Sequence, residues 1–486
     1  MRPRDRAGAL RVLSLAGLLA IPFVLAFFSG GYFDQARLWA VLAAALVLAL
    51  AALAVPRPLP RAPAGRLALA GLWALTAWTA SSIGWAPLRG PAFHDFQRLL
   101  LYALAFTAGI ALLRARAAAR LVEPVAAAGS VVVIAYGLAA RLLPGVVHET
   151  HGLSAGGRLD QPLTYWNAVG AVAGIGLVLC VRLAGDRERR AWTRALAAAA
   201  SPVLGMGLYL TYSRGALAAA TAGLLVLIAV LHDRPQARAL GVGVVAAALG
   251  AVAAAPFPVV ASLAGGSRGQ GIAALALLVA VMLGAGFAAR RIGLAEADGR
   301  LSVDELRIPA LRPIIAIAIA AVIALLVVAI VAGERRPSTN PATGATASRL
   351  TSLQSHRYAY WKVAVGAFAD HPLDGLGSGN FQVRWLAKRK FREAVLDAHS
   401  LYIETAAELG IVGLAALAAS IAGVVLAARA TLRRDAVLGA GLAAALVTWA
   451  VQAGVDWLWE MPAVSLVALT LAAVLVAAPE RAGEAP

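Results

Sequence analysis

"LAAAASPVLGMGLYLTYSRGALAAATAGLLVLIAVL", Leu196 to Leu231, runs for 36 residues with one charge, Arg214. Two apolar runs meet at Thr211-Tyr212-Ser213-Arg214-Gly215 with almost no loop between them. A transmembrane helix needs about 20 mainly apolar residues, so the stretch reads as two spans joined by a tight turn. Tyr212, Ser213 and Arg214 are then held at a membrane face. A charge there is costly and marks a functional site by default; a snorkelling arginine is the plainer alternative.

Runs of this kind recur from end to end. The 486 residues are 61% hydrophobic with a mean hydropathy of +0.78, against about half apolar in soluble chains. The expected fold is all-α: a polytopic membrane protein with about 12–14 transmembrane helices and one large extracytoplasmic loop containing short helices. Fourteen candidate cores lie near 8–28, 38–55, 66–84, 97–113, 121–141, 163–181, 193–210, 215–231, 239–262, 270–289, 311–332, 400–428, 435–454 and 461–478. The charged, apolar start resembles a signal peptide but lacks a clear small-residue cleavage site, so it is expected to stay attached as the first helix.

Net charge is +18. Because the arginines cluster between apolar runs, topology explains them better than nucleic acid does. With the N-terminus cytoplasmic, the inner segments hold about 26 of the 43 Lys and Arg, and the short outer loops hold only Arg37, Arg89, Arg98, Arg141, Arg158, Arg214 and Arg268. This predicts cytoplasmic N- and C-termini. Three regions follow: N-terminal spans over 1–332, an outer loop over 333–399, and C-terminal spans with a short tail over 400–486. The lone Cys180 excludes an intrachain disulfide and a cysteine-based zinc site.

A loop of that length is usually functional. It opens with "GERRPSTNPATGATASR", which reads as flexible. A helix is predicted next, with Leu353, Tyr358, Trp361, Ala364, Val365 and Phe368 as its stripe. "LDGLGSGNF" is a glycine-rich turn. "FQVRWLAKRKFREAVLDAH" reads as a second short helix suited to anionic headgroups.

Three outer arginines sit in dense local patterns. Arg158 lies in "SAGGRLDQPLTYWNAVGAVAG", beside Asp160, Gln161, Tyr165, Trp166 and Asn167, where capping with an aromatic belt is the plainer reading. Arg214 follows Tyr212 and Ser213. Arg357 lies in "SHRYAYW", near His356 and Lys362, where a solvated cation is the plainer reading. A guanidinium grips phosphate oxygens with a planar fork, so their convergence would suit a pyrophosphate on a lipid. The sequence has no P-loop and no G-x-G-x-x-G after a strand. It has no outer Asp-x-Asp pair and no His/Asp/Glu cluster at metal spacing. Neither cofactor nor metal is expected.

His399, in "DAHSLY", stands at the mouth of the next span and can act as a general base, with Asp397, Ser400 or Tyr402 orienting its ring. Glu404 and Glu408 share a helix face and are expected to pair with outer arginines. Gly410 to Gly413, "GIVG", would let helices approach closely. "GVDWLWEMPAV" brings Asp456 and Glu460 to the last outer loop, with Trp457 and Trp459 as belt residues.

Together "TYSRGALAAATAG", "YWKVAVGAFADHPLDGLGSGNF" and "AHSLYIETAAELGIVGL" resemble the O-antigen ligase/polymerase superfamily of bacterial envelopes. Pro372, Gly375, Gly377, Gly379, Asn380 and Phe381 match its glycine turn, and "QPLTYWNAVG" resembles an earlier span entry. Ser400 stands where Asn is commoner and Ile403 where Leu is. The resemblance implies metal-independent, inverting transfer of a glycan from undecaprenyl pyrophosphate to an acceptor hydroxyl. His399 then matches the proposed base, and Arg214, Arg357 and Arg158 match pyrophosphate-binding arginines. Implied partners are the lipid-linked donor, a glycan or lipid A-core acceptor, membrane lipids and, for a polymerase, a chain-length regulator. The implied location is the bacterial cytoplasmic membrane. A lipid-linked oligosaccharide flippase is the alternative, but transporters place polar groups near the midplane, whereas here they gather at the outer mouth.

Overall fold

A chain that cannot hydrogen-bond its backbone to lipid must satisfy it internally, and helices do so within each segment. The computed structural model describes residues 3–56, 58–144, 146–147, 155–263, 268–304, 345 and 355–478. These form sixteen α-helices: α1 (Pro3–Ala26), α2 (Asp34–Ala54), α3 (Pro63–Ser82), α4 (Arg89–Leu112), α5 (Arg116–Leu142), α6 (Trp166–Gly185), α7 (Ala191–Leu210), α8 (Arg214–Val230), α9 (Arg234–Ala254), α10 (Pro258–Ala261), α11 (Arg268–Ala297), α12 (Arg357–Asp370), α13 (Phe381–Lys388), α14 (Leu401–Arg434), α15 (Ala436–Ala453) and α16 (Pro462–Ala477). Among the described residues, nine of these are long and apolar enough to cross a membrane, and α8 and α16 are shorter apolar helices. Each predicted span in the described residues coincides with a helix. The span at 311–332 and the segment "GERRPSTNPATGATAS" lie outside them, apart from Ala345. The run at 239–262 divides: α9 stops at Ala254, ahead of Pro256 and Pro258, and only the one-turn α10 follows.

The helix α6 is the axis of the bundle, with its whole apolar window buried, whereas α1 and α2 bury about a quarter of theirs. Small residues set this packing. A Cβ on Gly170 would lie 2.7 Å from Ala216, and one on Gly174 3.2 Å from Ala220, so α6 and α8 nearly touch backbones. Cys180 is a buried free thiol in α6.

The segment 355–400 covers one face of the bundle, here termed the loop face. It forms a small core of Tyr360, Ala364, Ala367, Phe381, Trp385, Val395 and Ala398 together with Ala407 of α14. Three expectations change here. The buried stripe of α12 is Tyr360, Ala364 and Ala367, and Val365 is exposed. The second helix ends at Lys388, and the chain runs irregularly to Ser400. Finally, Phe381 and Trp385 are fully buried against protein instead of facing headgroups, and Trp385 Nε1 donates to the Glu393 carbonyl at 2.8 Å.

The glycine turn docks into a break in α14. Gly410 has φ 64° and ψ −163°, outside helical values. The turn's N–H groups donate to carbonyls of that broken strip: Leu376 to Ala407 at 3.0 Å and Gly377 to Glu408 at 2.8 Å. In return Ile411 donates to Pro372 at 2.8 Å. Gly410 thus admits the turn, with Leu373 where its Cβ would be, instead of a neighbouring helix.

Candidate functional site

Four helices begin around one cavity on the loop face. The N-terminal residues Trp166 and Asn167 of α6, Arg214 and Gly215 of α8, and Arg357 of α12 line it, with His399 two residues before α14. The cavity holds about 640 Å³. Helix N-termini carry partial positive charge and unsatisfied N–H groups, so this arrangement favours an anion even before side chains are counted.

Arg158, Arg214 and Arg357 all line the cavity. Arg158 is buried, its guanidinium carbon 3.5 Å from the centre of the Trp166 ring and its Nε donating to Ala155 at 2.6 Å. Arg214 opens α8 behind the cap Ser213, whose hydroxyl accepts from Ala216 N–H at 3.3 Å. Tyr212 packs on Tyr209 and donates to Ala261 at 3.2 Å.

Arg357 is held from behind. Its Nη2 donates to Asp456 Oδ2 at 2.6 Å, and Tyr165 donates to Oδ1 of the same carboxylate at 2.5 Å. Asn167 Nδ2 completes the chain by donating to Tyr165 Oη at 2.7 Å. Asp456 is fully buried and does not line the cavity. It orients two groups that do. Against burial, Asp456 holds the Arg357 guanidinium above its ordinary proton affinity, and burial with Asp456 raises the Tyr165 phenol.

His399 has φ 60°, the left-handed region that β-carbon-bearing residues avoid. Thr164 (φ 60°) and Tyr212 (φ 49°) share this conformation and also line the cavity. Three of the five non-glycine residues in this conformation, among the described residues, therefore surround one space. Such strain collects where surroundings over-determine a functional geometry. The His399 ring sits between Tyr360 at 5.3 Å and Trp457 at 6.2 Å, centre to centre. Its Nδ1 is 2.9 Å from the Asp397 main-chain oxygen. A carbonyl only accepts, so Nδ1 carries the proton and Nε2 the lone pair. The expectation that an Asp397 carboxylate, Ser400 or Tyr402 orients the ring is replaced by this carbonyl; Tyr402 Oη donates to Ala450 instead. Burial, and then Arg357, push the His399 imidazolium down to about 4, against an opposing effect of Asp456.

Beside the cavity lies an acidic basin with one cation. Arg98 of α4 pairs with Asp95 at 2.9 Å and with Glu460. Carboxylate oxygens of Asp397, Glu404 and Glu460 lie within 4.8 Å of one another, a spacing that could hold a cation and that the sequence did not reveal. Burial, reinforced by Asp95, lifts the Asp397 carboxyl to about 7; burial also lifts Glu460 well above the ordinary range, against Arg98.

Glu404 and Glu408 do not pair with arginines among the described residues. Glu404 accepts Ala398 N–H at 2.6 Å, bracing the turn that carries His399. Glu408 accepts Gly379 and Phe381 N–H, both at 2.8 Å, and caps α13. Asn380 is fully buried and bonds Leu88 through both amide atoms, at 2.7 and 3.1 Å. Ser378 donates to Asp95 at 2.6 Å. These residues frame the cavity without entering it. Trp459 is buried against Tyr102, and Trp457 lines the cavity against Tyr165, so neither is a belt residue.

Sequence reasoning passed over Glu393, Tyr360, Asp95 and Arg98. For Arg98 and Asp95 a signal existed, since both are charges near the start of an apolar run. Nothing local distinguishes Glu393.

The fold and site define a multi-pass membrane protein with a cationic, histidine-bearing cavity under a helical loop. Residues 253–418, about a third of the chain, match the model of the O-antigen ligase family. The matched region contains Arg357, the glycine turn, His399, Glu404 and Glu408; Arg158, Arg214 and Asp456 lie outside it. Comparison with curated proteins yields no match. The family supports lipid-linked glycan transfer in general.

Proposed function

We propose that the loop face is extracytoplasmic, on the bacterial cytoplasmic membrane with both termini inside. There the cavity transfers a glycan from undecaprenyl pyrophosphate to a sugar hydroxyl. The observation that carries this reading is convergence: three arginines and the N-termini of α6, α8 and α12 meet at the space that also holds His399, two residues before the fourth helix, α14.

In this reaction Nε2 of His399 takes the proton from the acceptor hydroxyl as its oxygen attacks the anomeric carbon. The new carbon–oxygen bond forms as the bond to pyrophosphate breaks, and the departing electron pair stays on the pyrophosphate. Arg158, Arg214 and Arg357 stabilise that charge where it develops. Attack opposite the leaving group inverts the anomeric configuration. A lipid A-core acceptor makes the protein a ligase; a second lipid-linked glycan makes it a polymerase, with a chain-length regulator as a further partner.

The test is purified protein with synthetic undecaprenyl-pyrophosphate oligosaccharide, candidate acceptors and EDTA. Expected are an inverted glycosidic bond and free undecaprenyl pyrophosphate, undiminished by EDTA. Retained configuration would remove the single-displacement mechanism, and loss of product in EDTA would make a metal part of it.

A further inference from the structure

Glu393 Oε2 takes two donors, His356 Nδ1 at 2.7 Å and Tyr360 Oη at 2.8 Å. The carboxylate oxygen accepts from both, so Nδ1 carries a proton, and in the neutral ring the lone pair lies on Nε2. His356 lines the cavity and stacks on Phe391 at 4.5 Å. Its Nε2 is buried at the cavity's edge and has no hydrogen-bond partner among the described residues. The Glu393 main-chain carbonyl is held separately, by Trp385 and Arg389 at 2.8 and 3.1 Å.

The cavity therefore carries two chemistries. Guanidinium groups suit an anion. Two imidazoles, His399 and His356, each have Nδ1 committed to an oxygen, which leaves Nε2 as the acceptor of the neutral ring. An acceptor nitrogen repels phosphate oxygen but suits a hydroxyl. Tyr360 connects the two rings, packing on His399 while donating to Glu393.

We propose that His356, oriented by Glu393 and Tyr360, is an acceptor subsite. Its Nε2 accepts from a ring hydroxyl of the acceptor sugar and so selects which neighbouring hydroxyl reaches His399. The ligand class is a pyranose chain, not its lipid or phosphate. This rests on reading the cavity as a glycan-transfer site.

The test is calorimetric titration of full-length protein in nanodiscs. One probe is envelope glycan from the source organism, freed of lipid by mild acid; the other is inorganic pyrophosphate. In His356→Ala, glycan binding is expected to weaken about tenfold, the value of one hydrogen bond, with pyrophosphate binding unchanged. Glu393→Gln, which keeps the shape of the side chain, is expected to weaken glycan binding to a smaller extent. Unchanged pyrophosphate binding in the same samples also shows that the variants are folded. Glycan affinity unchanged in both variants, equal loss of both ligands, or no glycan binding by the wild type would overturn the subsite. If glycan binds through His356 but the wild type turns over no lipid-linked donor, the subsite stands and the transfer reading falls.

Discussion

Arg357 donates from Nη2 to Asp456 Oδ2 at 2.6 Å, with the Asp456 side chain fully buried. The pair ties α12 to the turn between α15 and α16, so a cavity arginine is aimed by a residue outside the cavity. Removing one partner of a buried pair leaves the other charge uncompensated, at a cost of about 3–5 kcal/mol. Asp456→Ala should lower the melting temperature of the reconstituted protein and weaken donor binding. Asp456→Asn should retain more of both, since its amide oxygen can still accept from Tyr165. Identical melting of wild type and Asp456→Ala would detach Arg357 from this anchor.

The His399 imidazolium is pushed down to about 4 by burial and by Arg357. The base form therefore persists through neutral pH. kcat/KM for the acceptor, which reports free-enzyme ionisations, should stay flat on this account down to about pH 5 and fall near 4. Arg357→Gln should move the acid limb upward, because the repulsion that lowers it is gone. An acid limb at the ordinary 6.5 in wild type would mean that the ring is neither dry nor near a cation.

Asp397 and His399 shift in opposite senses, and so do their effects on stability. Asp397 rises from 3.8 to about 7, so its contribution is present at low pH and lost as pH rises through 7. His399 falls from 6.5 to about 4, so its contribution is present above 6.5 and lost as pH falls toward 4. The two largely offset each other between pH 4 and 6.5. In Asp397→Asn the histidine effect is no longer offset by Asp397, and melting temperature should climb more steeply with pH over that interval than in wild type. A shallower climb in the variant would contradict the assignment.

Glu408 caps α13 with two 2.8 Å bonds, and Gly375, at φ 70°, packs on the Glu408 backbone. Glu408→Gln turns one acceptor into a donor facing an N–H and should cost about 1–3 kcal/mol. Gly375→Ala should cost more, since both φ and space forbid its Cβ. Limited proteolysis should cut 355–400 faster in both. Equal cleavage rates would show that the loop docks without this clamp.

The bundle was legible because the bilayer imposes length and apolarity on each span, as in Leu196–Leu231. Arg214 and His399 were legible because a charge or imidazole at the mouth of an apolar run is conspicuous. The end of α13 at Lys388 was not legible: Phe391 and Val395 continue an apolar pattern, but the chain there packs on α12 instead of coiling. The partners of Glu404 and Glu408 were also hidden, because the sequence gives a shared helix face and cannot tell an arginine from the N–H groups of a turn threaded into Gly410. Asp95 and Glu460 are distant in sequence from Asp397 and Glu404, and only helix packing brings them together.

The most direct measurement is single-turnover transfer from synthetic undecaprenyl-pyrophosphate oligosaccharide, with donor binding followed in parallel, in His399→Ala and Arg214→Ala. In His399→Ala, donor binding should survive while the transfer step slows by about 10²–10⁴-fold, the span of a positioned base. In Arg214→Ala, donor binding should itself be lost. Transfer at the wild-type rate in His399→Ala would contradict the account.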